Sequence, residues 1–225
     1  LINSFIRQDY LDKELVISDD SEDFGVRDLI ESLPPDYRKY VSYHKNEHNL
    51  GYSKNLLMSL QRATGEYILV LGDDDVFVSE KALSKYAEVF SCHPEVGYIY
   101  SNQVQFSNGL EVEYIFDSVS ADRIFLKGDP SMQNMWLTSI FIPGMAFRNN
   151  IDFEQFYPKE DFLFPQLELV GHILNMSSSY YISDILVGGR SHDHQLGFLA
   201  IRGESIKGSE RHGTVEIYEI YKRLC

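Results

Sequence analysis

Apolar positions along the chain fall into short runs, each closed by polar or helix-breaking residues. Glu14-Leu15-Val16-Ile17-Ser18 is a β-rich run that stops at Asp19-Asp20-Ser21, which predicts a strand followed by a polar loop. Val26 to Leu33 has helical spacing and is ended by Pro34-Pro35. Tyr40 to Tyr43 predicts a second strand. Leu56, Leu57, Leu60 and Ala63 share one face of a helix for which Ser53 is the expected cap. Gly65 closes that helix and Tyr67 to Leu71 predicts the next strand. Lys81 to Phe90 then reads as an amphipathic helix and Val96 to Tyr100 as a strand. Val104 to Phe106 and Val112 to Ile115, split by Ser107-Asn108-Gly109, predict a hairpin. The opening LINSFIRQDY has the pattern of the second half of a helix.

Strand alternating with helix implies crossover connections and an α/β sheet. No internal repeat or low-complexity linker interrupts it, so a single domain over 1–225 is expected. In open α/β sheets, ligands bind beyond the carboxyl ends of the strands. Both acidic clusters, Asp19-Asp20 and Asp73-Asp74-Asp75, directly follow predicted strands, which points to one shared crevice.

Composition narrows the partners. The 225 residues are 44% hydrophobic and 24% charged, an ordinary globular balance. Net charge is −14, from 20 basic against 34 acidic residues, which argues against binding a nucleic-acid backbone. It suits a protein whose anionic ligands arrive with metal counter-ions. Cys92 and Cys225 make no framework and no CxxC occurs, so a reducing, cytoplasmic setting is expected. No apolar run approaches the ~20 residues that span a bilayer, and no signal peptide precedes the predicted fold. Asn175-Met176-Ser177 therefore reads as a chance sequon.

Three successive aspartates at a strand mouth demand an offset, since like charges about 4 Å apart repel by roughly 4 kcal/mol at an effective dielectric near 20. Bulk water around a loop tip is one answer and a divalent cation is the other. Alternate side chains of an extended segment share a face, so Asp73 and Asp75 can point together. Two carboxylates suit a hard cation, Mg²⁺ or Mn²⁺, that completes its octahedron with phosphate oxygens. His44 and His48 stand four apart, but His44-Lys-Asn-Glu-His48 has its Glu in the wrong place for a zinc protease.

The stretch Asn49-Leu-Gly51-Tyr-Ser-Lys-Asn55, then Ala63-Thr-Gly65-Glu-Tyr67-Ile, then Leu71-Gly-Asp-Asp74-Asp75 resembles family 2 glycosyltransferases of the GT-A fold. Their pattern runs roughly N-x-G-x-x-x-N, A-x-G-x-Y-I and L-D-x-D-D. Leu15-Val-Ile-Ser-Asp19-Asp20-Ser21-Glu-Asp23 is similar to their "VVDDxSxD" segment, and order and spacing agree over residues 1 to about 77. The resemblance implies a mixed, mostly parallel sheet flanked by helices, with a nucleotide-sugar half (1–100), an acceptor-side half (101–192) and a helical tail (193–225). It implies nucleotide-sugar contacts at Asp19, Asp20, Asn49, Gly51, Asp73 and Asp74. Metal ligands would come from Asp73, Asp74 and Asp75; Gly72 stands where the family's first Asp usually is, so the three remain in competition. Ile142-Pro-Gly144-Met-Ala-Phe147-Arg148 is similar to the family's acceptor-side glycine and "FRR" segment. Glu160-Asp161, followed by a helical pattern over Phe162 to Leu174, resembles its "ED" motif, which makes Asp161 the expected catalytic base. Gly189-Arg190-Ser191-His192 resembles its late "R-x-H", adding His192, with His194 as alternative, near metal or pyrophosphate.

The resemblance implies inversion at the sugar; a non-processive transfer of one sugar is read from the single Trp136, which lies in Gln133-Asn-Met-Trp136-Leu without the arginine of the processive Q-x-x-R-W motif. LGDDD is similar to bacterial surface-polysaccharide enzymes, which implies a glycan or lipid-linked acceptor and work at the inner face of the membrane by peripheral contact; no basic amphipathic helix supports such contact. Family members begin with a further strand and a "P-x-Y-N" loop, and the expectation is that this chain is a piece lacking them. A different class of reading is a non-catalytic or truncated remnant that binds nucleotide and metal. A sugar-phosphate nucleotidyltransferase would need a G-x-x-x-R loop near the start, and the first 50 residues have none.

Overall fold

The strands sort into two sheets because of which edges their backbones share. The computed structural model describes residues 1–107, 111–116, 118–157 and 164–190. In chain order the strands are β1 (Leu15–Asp19), β2 (Val41–Lys45), β3 (Tyr67–Val70), β4 (Val76–Phe77), β5 (Val96–Phe106), β6 (Val112–Phe116), β7 (Arg123–Phe125), β8 (Met145–Arg148) and β9 (Ser178–Arg190). The helices are α1 (Ile2–Ile6), α2 (Gly25–Ser32), α3 (Pro35–Arg38), α4 (Tyr52–Arg62), α5 (Ala82–Cys92), α6 (Asp129–Met135) and α7 (Pro165–Met176), with 3₁₀ turns at Trp136–Ile140 and Phe153–Phe156. β1 and β2 pair in parallel as a two-stranded sheet, while the larger sheet runs β3-β8-β5-β9-β4 with β6 on β5 and β7 on β9. β5 and β9 are parallel, and β3–β8, β8–β5, β5–β6, β7–β9 and β4–β9 are antiparallel.

The period-2 alternation of a strand divides the interior. Ile68 and Val70 of β3, Tyr98 and Tyr100 of β5, and Met145 and Phe147 of β8 enter a core with α4, α7 and Trp136. Ile99 and Ala146 enter the opposite core, where Phe5, Phe77, Tyr86, Phe90, Ile182 and Val187 lie and against which Tyr67, Leu69 and Leu71 pack. Covered on both faces, β5 reads as nearly unbroken burial, as a central strand should. It continues through 101–103, where the sequence predicted a break. A register shift there turns Asn102 so that its side-chain amide donates to the carbonyls of Val119 and Ser183, both at 2.8 Å.

Two local expectations change. α4 starts at Tyr52 behind Gly51, whose φ of 78° and ψ of 163° suit glycine alone, and Ser53 is buried inside the first turn rather than capping it. Arg148 ends β8 opposite Tyr67, at the beginning of β3, so it lies at the other end of that strand from the aspartates. Its guanidinium donates to the carbonyls of Phe90 (2.6 Å), Val96 (2.8 Å) and His93 (3.3 Å) while stacking over the Phe90 and Tyr67 rings. It therefore ties the end of α5 to the sheet.

The facing edges of β1 and β3 share no ladder. Between them runs an apolar groove of about 520 Å³, with Leu60 and Ala63 of α4 on one side and Phe5, Leu83, Tyr86 and Phe90 on the other.

Arg148→Met removes the guanidinium from the Phe90 and Val96 carbonyls, each buried unpaired group costing about 1–3 kcal/mol, while the His93 carbonyl keeps the Val96 N–H. Thermal denaturation should show a melting temperature lower by at least about 4 °C, given roughly 2–4 °C per kcal/mol at this size. An unchanged melting temperature would deny Arg148 its structural role.

Candidate active site

The carboxyl end of β1 is organised by its two aspartates in different ways. Asp19 is 5% exposed and its carboxylate is saturated. Oδ1 accepts the Ser21 N–H (2.9 Å) and hydroxyl (2.5 Å); Oδ2 accepts the Tyr43 hydroxyl (2.7 Å) and lies 3.4 Å from the Lys45 ammonium. Burial pushes its pKa up, but the hydrogen bonds from Ser21, Tyr43 and Lys45 outweigh that and hold it at about 2. Asp20 reaches across instead. Its carboxylate accepts the Asn46 amide (2.7 Å) and the Leu50 N–H (2.9 Å), and its carbonyl accepts the Asn49 amide (3.2 Å). Asn49 Oδ1 in turn accepts the Gly51 N–H at 2.9 Å, which shapes the entry to α4. The structure thus brings Asp19, Asp20, Asn49 and Gly51 together at one loop junction, with the first two turned toward protein partners.

Beneath that junction is a polar network that the sequence reading did not single out. Asn55 Oδ1 accepts the Ser18 hydroxyl (2.6 Å) and the Asn46 amide (3.0 Å), and its own amide donates to the Ser18 carbonyl (3.1 Å). Arg62 donates to the Ser18 hydroxyl (2.7 Å) and to Asn46 Oδ1 (3.0 Å). About two turns of α4, from Asn55 to Arg62, are thereby bolted to β1 and to the β2–α4 loop. The signal was present as the second Asn of N-x-G-x-x-x-N, but a motif gives no direction for a side chain.

The second acidic loop follows β3. Leu71-Gly72-Asp73-Asp74-Asp75 makes a tight turn in which the Asp75 N–H donates to the Gly72 carbonyl (3.3 Å) and Asp75 Oδ2 accepts the Gly72 N–H (2.5 Å). A Cβ at Gly72 would stand 2.9 Å from that Oδ2 and 3.2 Å from Asp74 Oδ1, so an aspartate at this position would require both side chains to shift. Asp73 is exposed, Asp74 half-buried and Asp75 only 5% exposed. Burial is the largest cause that pushes the Asp75 carboxyl up to about 7, the Asp74 and Asp73 charges add to it, and the Gly72 and Arg190 backbone N–H bonds oppose it. Asp75 also lies against Gly189 of β9, which a Cβ would bring to 3.5 Å from Oδ1 and 3.4 Å from Pro143. The loop before β8 and the end of β9 therefore converge on the buried aspartate. Asp161 and His192 (and His194) lie outside the described residues. His44 stays local, its ring 2.9 Å from the Ser42 hydroxyl.

Hard oxygen donors on one turn, one of them buried and destabilised as an anion, fit Mg²⁺ or Mn²⁺ in kind. Among the described residues no group of three or more His, Cys, Asp or Glu side chains could cage a metal, so further oxygens must come from a bound ligand or from elsewhere in the chain.

Residues 1–154 match the family described as Glycosyl transferase family 2. The chain belongs to that family. Within curated glycosyltransferases, 100 residues are 30% identical to the abequosyltransferase RfbV of Salmonella typhimurium, covering 41% of this chain and 30% of that protein. A match over 96 residues is 29% identical to a GalNAc(5)-diNAcBac-PP-undecaprenol beta-1,3-glucosyltransferase of Campylobacter jejuni, covering 40% and 31%. The matched stretch thus spans under a third of these relatives' length. Among solved structures, S. aureus TarS 1-349 in complex with UDP superposes with a TM-score of 0.67 at 18% identity, over 99% of this chain and 66% of that one. The mannosyltransferase PcManGT of Pyrobaculum calidifontis, in complex with GDP-Man and Mn²⁺, gives 0.58 at 15%, over 99% and 64%. These likenesses establish the mixed α/β fold of the family. Among the described residues no helix is long and apolar enough to cross a membrane.

Two pH effects follow from the site. Asp19, depressed to about 2 from 3.8, stabilises the fold above pH 3.8, and that contribution is lost as pH falls through 2. Asp75, raised to about 7 from 3.8, does the opposite: its charge destabilises the metal-free fold above pH 7, and the penalty disappears as pH falls toward 3.8. Without divalent metal, the melting temperature should rise between pH 8 and pH 5, and Asp75→Asn should flatten that slope. The same slope in both proteins would assign the titration to another group.

Proposed function

We propose that this chain acts as a metal-dependent, inverting, non-processive glycosyltransferase. It would move one sugar from a nucleotide-diphosphate sugar to a hydroxyl of a glycan or lipid-linked acceptor in bacterial surface-polysaccharide assembly, at the cytoplasmic face of the membrane. The observation that carries this reading is the pair of acidic loops at the carboxyl ends of β1 and β3, one of them holding a buried carboxyl raised to about 7. An aspartate so placed gains from a cation what it lacks in water.

In this mechanism the β1 loop, with Asp19, Asp20, Asn49 and Gly51, shapes the nucleoside end of the donor site. Asp73, Asp74 and Asp75 would hold Mg²⁺ or Mn²⁺, with His192 as a further ligand. When bound, the metal supplies Lewis-acid stabilisation of the charge that grows on the departing diphosphate. Asp161, placed by the "ED" resemblance, takes the acceptor proton as the hydroxyl attacks from the face opposite the diphosphate. Such a base contributes typically about 10²–10⁴-fold. The relatives' printed activities support this class: one is an abequosyltransferase and one acts on an undecaprenol-linked glycan.

A second reading is a nucleotide- and metal-binding module without turnover. The unpaired edges of β1 and β3 favour it, since they leave the two acidic loops on separate sheets.

Asp74→Ala and Asp75→Ala should each abolish Mn²⁺-dependent binding of the nucleoside diphosphate. Asp161→Asn should keep that binding and lower diphosphate release in the presence of acceptor by about 10²–10⁴-fold. Full turnover by Asp161→Asn removes it as base, and binding without turnover in the unaltered chain supports the second reading.

A further inference from the structure

From the aspartate loop, three neighbouring strands lead outward to an exposed strand. Gly189 of β9 lies against Asp75, Gln105 of β5 is level with Gly189, and Tyr114 of β6 is level with Gln105. Residues level with one another in a sheet turn their side chains to the same face, so Tyr114 and Gln105 share the face on which Asp75 meets Gly189. Neighbouring strands stand about 4.7–4.9 Å apart, which puts Tyr114 roughly 10 Å from Gly189. β6 bonds β5 and no other described strand, and Tyr114 is 47% exposed.

Tyr114 opens a row of rings. Its centroid is 4.7 Å from that of Phe116, which is 5.9 Å from Phe141, with planes tilted by 56° and 38°. Phe141 is two residues before Pro143, the side chain that a Cβ at Gly189 would touch, so the row runs back toward the aspartate loop. It is also held from behind. The Gln103 amide donates to the Tyr100 hydroxyl (2.9 Å), and that hydroxyl donates to the Phe141 carbonyl (3.3 Å). Rings fixed in advance lose little freedom when a ligand lies on them.

The chemistry of this face selects its occupant. An aromatic face is electron-rich and attracts polarised C–H groups. A pyranose ring offers a face of such C–H groups with hydroxyls at its rim, and the half-buried Gln105 between Tyr114 and Gly189 has an amide for those hydroxyls. Charge disfavours a lipid phosphate here. Residues 86–122 contain no Lys or Arg, Glu111 and Glu113 stand at the start of β6, and Arg190 alternates to the face opposite Gly189. We propose that Tyr114, backed by Phe116 and Phe141, stacks on the sugar ring of the acceptor and so selects which acceptor is used. This rests on the glycosyltransferase reading above and deepens it: the metal loop serves the donor, and the aromatic row serves the sugar that receives.

The test follows the Tyr114 ring by NMR in the full chain with ring-labelled tyrosine. The probes are the methyl glycosides of glucose, galactose, mannose, N-acetylglucosamine and N-acetylgalactosamine. At least one should shift the Tyr114 signal saturably, and its own C–H protons should move upfield, the signature of lying over a ring. Tyr114→Trp should keep that binding. Tyr114→Val, which suits a strand but has no ring, should weaken it by about three- to tenfold, the size of an ordinary ring contact. If Tyr114→Val does not fold, the upfield shift in the unaltered chain decides by itself. No shift with any of these sugars, or equal binding by Tyr114→Val, overturns the proposal. So does a Tyr114 signal moved by farnesyl phosphate and by none of the sugars, which would seat an isoprenoid there. Nucleoside diphosphate with Mn²⁺ should bind Tyr114→Val as it binds the unaltered chain; loss of both ligands together would make Tyr114 a support of the donor site and overturn its acceptor role. No nucleotide binding by the unaltered chain overturns the donor reading and leaves the sugar result standing on its own.

Discussion

A carboxyl group held out of water beside two others cannot remain as it is without cost. Asp75 is in that position, and the surrounding backbone is arranged around it. The Gly72 and Arg190 N–H groups reach its oxygens, Gly189 lies against it, and a Cβ at Gly72 would stand 2.9 Å from its Oδ2. Those contacts offset part of the burial and leave the rest, which is why the group rests near pH 7. A protein gains nothing in stability from such an arrangement. Under the proposed function, a cation that brings its own charge would take up such a carboxyl group.

The first acidic loop follows the opposite logic. Asp19 is as little exposed as Asp75, yet it lies less deep in the protein, and the hydrogen bonds from Ser21, Tyr43 and Lys45 outweigh its burial and hold it at about 2. It works as an anchor for the Ser21 turn, while Asp20 and Asn49 fix the approach to α4. Because β1 belongs to the small sheet and β3 to the large one, the two loops are related through α4 (by way of Asn55 and Arg62) and through the Glu14 carboxylate, which accepts the Thr64 and Gly65 N–H groups. The same polar contacts that shape the loop after β1 therefore also help to set how far it stands from the aspartates.

Much of this was legible in the sequence where chemistry and periodicity coincide. Apolar runs that end in acids gave β1 and β3 within a residue, and the family motifs named the residues at both loops. What stayed hidden was direction. Nothing in "DD" says that Asp19 turns inward and Asp20 reaches across to Leu50, because the choice is made by Tyr43 and Lys45 on the neighbouring strand. Arg148 carried an acceptor-side expectation from its motif, and the antiparallel pairing of β8 with β3 put it at the far end of the strand instead. The division into two sheets was also hidden, since hydrophobic patterning reports that a strand is covered and not which strand lies beside it. Family membership is established over residues 1–154, and the likeness to solved GT-A structures extends over nearly the whole chain.

The account stands on one claim, that the loop after β3 holds a divalent cation through which a nucleoside diphosphate is bound. Calorimetric titration of the chain with UDP, GDP, dTDP and CMP, each with and without Mn²⁺, tests it most directly. Saturable binding of one diphosphate that requires the metal is the predicted result. Binding of equal strength in the presence of a chelator, or no binding of any nucleotide by a chain that melts cooperatively, would contradict it.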